Sequence, residues 1–326
     1  MLTLDVNNIF SVTPGTFDQV CLEVFRFQYD HNPVYRQWCD LMGASPATVK
    51  TPAALPSLPV SFFKTHRIAT TDFDTEIFFE SSGTTQTINS RHWIRDITVY
   101  RQSFIRAFEQ FYGPVSDWCI IGLLPAYLER QHSSLVMMVD ELVGLTGHPD
   151  SGFYLYEHDK LDKTLRHLEE NKQQTLLIGV TFGLLDFAEA YPQQLKHTIV
   201  METGGMKGRR REMTRAEVHG LLKKGLGVNE IHSEYGMTEL LSQAYSKGEG
   251  RFVCPPWMRV LVRDEEDPKE VRTSGRGLLQ IIDLANLYSV SFIATEDVGM
   301  VYPDGSFEVW GRLDNSDIRG CSLLVV

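Results

Sequence analysis

Apolar and polar positions along this chain follow two periods, and the change of period divides it. Residues 16–42 carry helical spacing, opened by Thr16-Phe17-Asp18-Gln19 in the arrangement of a capping box. Prolines at 46, 52, 56 and 59 then predict an extended connector that wraps a surface rather than folding by itself. From Ile94 the apolar positions 94, 97, 104, 105, 108 and 111 fit a helix with one buried face. Trp118 to Leu124 reads as a buried strand. Between residues 130 and 240 helices (His132 to Leu145, Lys160 to Glu170, Leu184 to Tyr191) alternate with strands (Thr175 to Val180, His197 to Met201, Val228 to Ser233). Thr214-Arg215-Ala216-Glu217 opens a further capped helix that Gly225 can close. Such alternation implies a largely parallel sheet with helices on both faces and sites at the C-terminal ends of strands. Beyond residue 250 the pattern turns to β, over Val260 to Arg263, Gly277 to Leu284, Ser291 to Thr295 and Phe307 to Trp310.

Composition narrows the function classes. The 326 residues allow one large α/β domain or two ordinary ones, and 43% apolar residues suffice for a sizeable core. A net charge of −11, with no basic run longer than Arg209-Arg210-Arg211, argues against nucleic-acid binding and against an anionic membrane surface. No run approaches the roughly 18 apolar residues of a membrane span. Met1-Leu2-Thr3-Leu4-Asp5 has no signal-peptide character. Cys21, Cys39, Cys119, Cys254 and Cys321 are scattered, without a Cys-x-x-Cys pair, and read as reduced thiols in a cytoplasm.

Two segments carry chemistry. Ser81-Ser82-Gly83-Thr84-Thr85 follows the apolar Ile77-Phe78-Phe79 and offers backbone N–H groups and hydroxyls to an anion. Tyr235-Gly236-Met237-Thr238-Glu239 puts a stacking ring, a hydroxyl donor and a carboxylate for Mg²⁺ within five residues. Together they point to ATP chemistry.

These segments resemble the adenylate-forming superfamily, which includes acyl- and aryl-CoA ligases and luciferase. Ala294-Thr295-Glu296-Asp297-Val298-Gly299 is similar to its ribose-binding segment, and Gly311-Arg312-Leu313-Asp314 to its hinge. Within that superfamily, Pro56 to Lys64 and the terminal Arg319-Gly320-Cys321-Ser322-Leu323 resemble marker segments of the acyl-protein synthetases of bacterial bioluminescence. The resemblance runs from about residue 20 to the end. It implies one adenylate-forming domain over 1–326, with a helical, Pro-rich wrap over 1–60 and a hinge-like tail over 311–326. The expected fold is α/β: mostly parallel sheets flanked by helices, a β-rich C-terminal part, and no small mobile C-terminal domain.

The resemblance also implies roles. Ser81, Ser82, Gly83, Thr84 and Thr85 would cradle phosphate, although Gln86-Thr87-Ile88 stand where the family carries Gly and then Lys; Arg91 is the nearest cation. Gly204 and Gly205 would form the adenine wall, and Tyr235, with Gly236 and Met237, would receive the base. Thr238 would contact the α-phosphate, Glu239 would hold Mg²⁺, Asp297 would bind the ribose hydroxyls and Arg312 would sit over ribose or phosphate. His132 falls in the acyl-pocket region. Cys321 occupies the place of the acyl-accepting cysteine, and a thiolate is a good nucleophile toward a mixed anhydride. The implied function is ATP-dependent activation of a carboxylic, and by resemblance fatty, acid, with transfer to a protein thiol. Two alternatives stay open: a ligase serving coenzyme A or a carrier protein, and a weakly catalytic subunit that binds an acyl reductase.

Overall fold

The computed structural model describes residues 5–81, 88–125, 130–204, 213–267 and 269–313. They form two compact units. The first takes the chain up to Ser103, then Thr238–Ser242, then Val253 onward; the second takes Phe104–Met237 and Gln243–Phe252.

In the first unit the helical stretch expected over 16–42 is two helices, Phe17–His31 and Pro33–Leu41. Asn32 makes the break. Its extended backbone ends one helix through Asn32 N–H to Gln28 O (2.8 Å), and its side chain starts the next by accepting from Tyr35 N (3.0 Å). Pro33 occupies the first turn of the second helix, where its missing N–H costs nothing. The capping box at Thr16 does not form, because the Thr16 hydroxyl accepts from Thr13 N (3.0 Å) instead. The Pro-rich connector does lie along the unit: Tyr35 Oη donates to Pro56 O (2.8 Å) and Trp38 Nε1 to Ser57 O (3.0 Å). Leu58–Pro59 then adds a short parallel strand against Ile293 and Ala294. The β-rich part is an antiparallel run ordered Val271–Arg272, Met258–Arg263, Gly275–Asp283, Phe292–Val301, Phe307–Arg312. Phe292–Val301 is longer than the expected strand ending at Thr295, so Asp297 stands within a strand rather than on a turn.

The helix Ile97–Tyr112 carries the chain into the second unit, whose sheet is ordered Gly152–Phe153, Cys119–Leu123, Thr175–Gly179, Thr198–Glu202, His232–Tyr235, Ala244–Ser246. All neighbours are parallel except the last pair. Cys119–Leu123 and Thr175–Gly179 are buried at every residue, as strands covered on both faces must be. Leu161, Leu165, Phe187, Val218 and Leu222 from the flanking helices pack on them. The capping box at Thr214 and Glu217 is present, but the helix ends at Gly227 (φ +67°), not at Gly225. Gly225 lies inside it, where a Cβ would come within 2.8 Å of Ala188 O; the glycine serves helix–helix approach. Glu202 and Tyr235 end adjacent parallel strands, where α/β sheets place their sites.

Candidate active site

In the first unit, Phe78–Glu80 and Arg91–Trp93 pair antiparallel, and the hydroxyl-rich segment lies between them in sequence. Ser81 N–H donates to Ser90 O (3.1 Å) and Ser90 N–H to Ser81 Oγ (3.0 Å), extending that pairing by one residue on each strand. Ser82, Gly83, Thr84 and Thr85 lie outside the described residues. Arg91 is engaged by Glu80 at 2.8 Å and lies over the Phe78 ring.

Thr238 and Glu239 belong to this unit and are held through their carbonyls. His92 Nδ1 lies 3.0 Å from Thr238 O, and its Nε2 lies 2.8 Å from Ser289 Oγ. Burial pushes the His92 pKa down to about 4, so the ring is neutral at physiological pH. A carbonyl only accepts; Nδ1 therefore carries the proton and Nε2 accepts from Ser289. Asn286 Nδ2 donates to Glu239 O (2.8 Å). Just beyond, the Leu241 and Ser242 N–H groups both donate to Asp283 Oδ2 (2.9 Å each). Glu239 is buried, 6% exposed. Burial holds its pKa above the usual carboxylate range, although the Ser90 hydroxyl, its own backbone N–H, Arg312 and Lys64 pull the other way. Asp297 is buried and cross-strand from Arg312, whose Nε donates to Asp297 Oδ1 (3.1 Å).

In the second unit, Tyr235 closes its strand with its ring tilted against Phe252, centroids 5.8 Å apart. Gly236 and Met237 follow, and the chain passes to the first unit between Met237 and Thr238. Gly204 has φ +76°, a left-handed turn that favours glycine. Gly205 lies outside the described residues, as does Cys321. His132 is exposed, just before the Ser133 N-cap of helix Ser134–Thr146. Burial raises the Cys254 thiol far above its ordinary value, which makes it a poor nucleophile.

Sequence reasoning gave no role to Glu202, which organises this end of the sheet. It is 7% exposed. Its Oε2 accepts from Gly204 N (2.8 Å) and Thr181 Oγ1 (3.2 Å), and its Oε1 from Ser233 Oγ (3.0 Å). His219 Nε2 and Arg215 Nε lie 3.6 and 3.7 Å from Oε1. Burial alone would raise its pKa, but His219, Arg215 and the Gly204 N–H outweigh it and the net shift is downward. One carboxylate thus ties the glycine turn to two helices and to the strand that ends in Tyr235.

Among the described residues no group of three or more His, Cys, Asp or Glu side chains converges as a metal cage. Mg²⁺ does not require one, because it is commonly held by one or two carboxylates together with substrate phosphates. A buried carboxyl held above its usual range is of the chemistry such an ion would complete.

The family described as "Acyl-protein synthetase, LuxE" matches residues 13–326. The long-chain-fatty-acid–luciferin-component ligase of Aliivibrio fischeri is 28% identical, over 94% of this chain and 86% of its own. Among solved structures, an open conformation of 2-hydroxyisobutyryl-CoA ligase with its acyl-AMP and CoA superimposes with a TM-score of 0.63 at 14% identity, covering 98% of this chain and 81% of that one. ATP-bound MatB from Rhodopseudomonas palustris gives 0.55 at 15% identity over 72% of this chain; the matched part is about half of MatB (47%). At such identities these two show a shared fold. No helix of the described residues is long and apolar enough to cross a membrane. The chain belongs to the acyl-protein synthetase family.

Proposed function

We propose that this protein is an AMP-forming acid–thiol ligase that activates a carboxylic acid with ATP and passes the acyl group to a protein thiol. The acid's carboxylate attacks the α-phosphorus of ATP, and pyrophosphate leaves to give an acyl-adenylate. The thiolate of Cys321 then attacks the acyl carbon, AMP leaves, and a thioester remains for transfer to a partner such as an acyl reductase, an acyl carrier or coenzyme A. The observation that carries the reading is Glu239: buried, with burial holding its carboxyl above the usual range, and next to a threonine whose carbonyl His92 holds.

Each residue of this chain takes one part. Thr238 donates its hydroxyl to the α-phosphate. Glu239 would hold Mg²⁺, which when bound neutralises phosphate charge. Asp297, aligned by Arg312, accepts from the ribose hydroxyls. Tyr235 and the Gly204 turn receive the base, and Ser81 to Thr85 supply hydroxyl and N–H donors to the phosphates.

ATP–pyrophosphate exchange, run across short to long acyl and aryl acids, tests this reading. Exchange that depends on an added acid, strongest with fatty chains, is the expected result. Absence of exchange with every acid, alongside specific capture of an acyl reductase, would favour the partner-binding alternative.

A further inference from the structure

Two polar side chains at the end of the second unit's sheet have no part in the chemistry above. Glu234 and Gln243 belong to neighbouring antiparallel strands, on which Glu234 pairs with Tyr245 and Tyr235 with Ala244. Alternation along each strand puts Glu234, Gly236, Gln243 and Tyr245 on one face. A Cβ on Gly236 would collide with Glu234 Oε1 and would lie 3.5 Å from Gln243 Cγ. The two polar side chains therefore converge over the bare backbone of this glycine.

Neither is satisfied by the protein. Gln243 is 4% exposed, and its Oε1 is buried without a hydrogen-bond partner. The Glu234 carboxyl accepts from no donor among the described residues, and the one charge acting on it is that of Glu202. Glu202, one strand away, contrasts with both: three protein donors hold its carboxylate. Buried polar groups are nearly always hydrogen-bonded, so two unpartnered ones side by side call for a ligand.

What these groups offer sets what they take. Gln243 Oε1 is an acceptor, and a carboxyl beside the Glu202 charge repels a further anion. Their complement is a group that donates N–H or O–H. That group is not on the nucleotide base, because Glu234 points to the face opposite the neighbouring Tyr235 ring. The Glu234 face is packed with rings instead: Phe111 and Tyr112 lie 5.2 and 5.5 Å from Tyr245. In such an apolar surround a hydrogen bond counts for more than in water. Gly236 is two residues from Thr238, a span of at most about 7 Å, so a ligand group here lies near the reacting carboxyl. We propose that Glu234 and Gln243 bind a hydroxyl or amino substituent near the carboxyl end of the acid, making a substituted acid the preferred substrate. The polar site stands on the two side chains; its assignment to the acid rests on the ligase reading above.

Acid-dependent pyrophosphate exchange with acids of matched chain length tests it, the acids being plain, or hydroxylated or aminated at the first or second carbon from the carboxyl. In wild type, kcat/KM should be at least tenfold higher for a substituted acid than for the plain one. Glu234→Met and Gln243→Met should each bring that ratio to within twofold of unity. A ratio between acids is insensitive to a general loss of folded protein; should Glu234→Met misfold by circular dichroism, Gln243→Met carries the test. Glu234→Gln separates the two donors: a preference for the hydroxyl survives it, whereas a preference for the ammonium, which needs the carboxylate charge, falls. Equal kcat/KM for plain and substituted acids in wild type, or a preference that persists in the methionine variants, overturns the proposal and leaves the ligase reading intact. Absence of exchange with every acid removes that reading. Calorimetric titration of wild type and Glu234→Met with the same acids, without ATP, then decides the site: binding of a substituted acid that the variant loses tenfold or more supports it, and absent or equal binding overturns it.

Discussion

Glu239 in the first unit and Glu202 in the second are buried almost equally, 6% and 7% exposed, yet they titrate in opposite directions. Burial pushes both upward. At Glu202 the protein supplies His219, Arg215 and the Gly204 N–H, which outweigh burial and hold the carboxylate charged. At Glu239 the Ser90 hydroxyl, one backbone N–H and the charges of Arg312 and Lys64 do not offset it. A carboxylate that the protein fully partners fixes local structure. One left short of positive charge can be completed by an ion that arrives with substrate, and perturbed carboxyls concentrate at functional sites for that reason.

The comparison breaks first at Glu239. Glu239→Ala should abolish acid-dependent pyrophosphate exchange while leaving the urea midpoint close to wild type, because burial disfavours the carboxylate that is removed. Normal exchange in that variant would take Glu239 out of the metal role.

Glu202→Ala should do the reverse damage. It leaves the Gly204 N–H and the Thr181 and Ser233 hydroxyls without their shared buried acceptor, so a loss of stability of about 1–3 kcal/mol is expected in urea unfolding. A change under 1 kcal/mol would mean that the Glu202 contacts organise nothing.

Tyr235 lies two residues beyond Ser233, which Glu202 holds. Tyr235→Ala should weaken ATP binding by about 1–3 kcal/mol, the worth of one stacked base. Unchanged ATP affinity in calorimetry would make Tyr235 a packing residue against Phe252.

The smallest effect concerns Glu234. Burial, reinforced by the neighbouring charge of Glu202, raises its pKa from 4.5 to about 8. A raised folded pKa means that its contribution is fully present below pH 4.5 and is lost as pH rises through about 8. Glu234→Gln should therefore be more stable than wild type at pH 8–9, by at least about 1 kcal/mol. Parallel stability–pH curves for the two proteins would contradict this.

Much of this was legible in the chain. Strands such as Thr175–Gly179 are continuous apolar runs, and the Thr214–Glu217 cap is written in adjacent residues. What failed was chemistry settled between neighbours. Thr16 offered a cap but bonds to Thr13 instead, and Asn32-Pro33 both ends and starts a helix inside one periodic stretch. Gly225 carried the helix-stop signal, yet packing against Ala188 claims it and Gly227 takes the left-handed turn. For the site, the Tyr-Gly-Met-Thr-Glu run was visible as a motif. The partners of Glu202 at 181, 204, 215, 219 and 233 come from five places in the sequence, so no local pattern announces them. His92 was equally silent, since its ring is defined by Thr238 and Ser289 far downstream.

The central claim is that an activated acyl group is handed to a thiol of this chain. Incubation with ATP and a labelled fatty acid, followed by hydroxylamine, tests it most directly. Wild type should carry hydroxylamine-sensitive label, and Cys321→Ser should lose that label yet keep acid-dependent exchange, because adenylation precedes transfer and needs no thiol. Wild-type labelling in the serine variant, or wild-type protein that exchanges pyrophosphate but acylates only coenzyme A, would contradict the account.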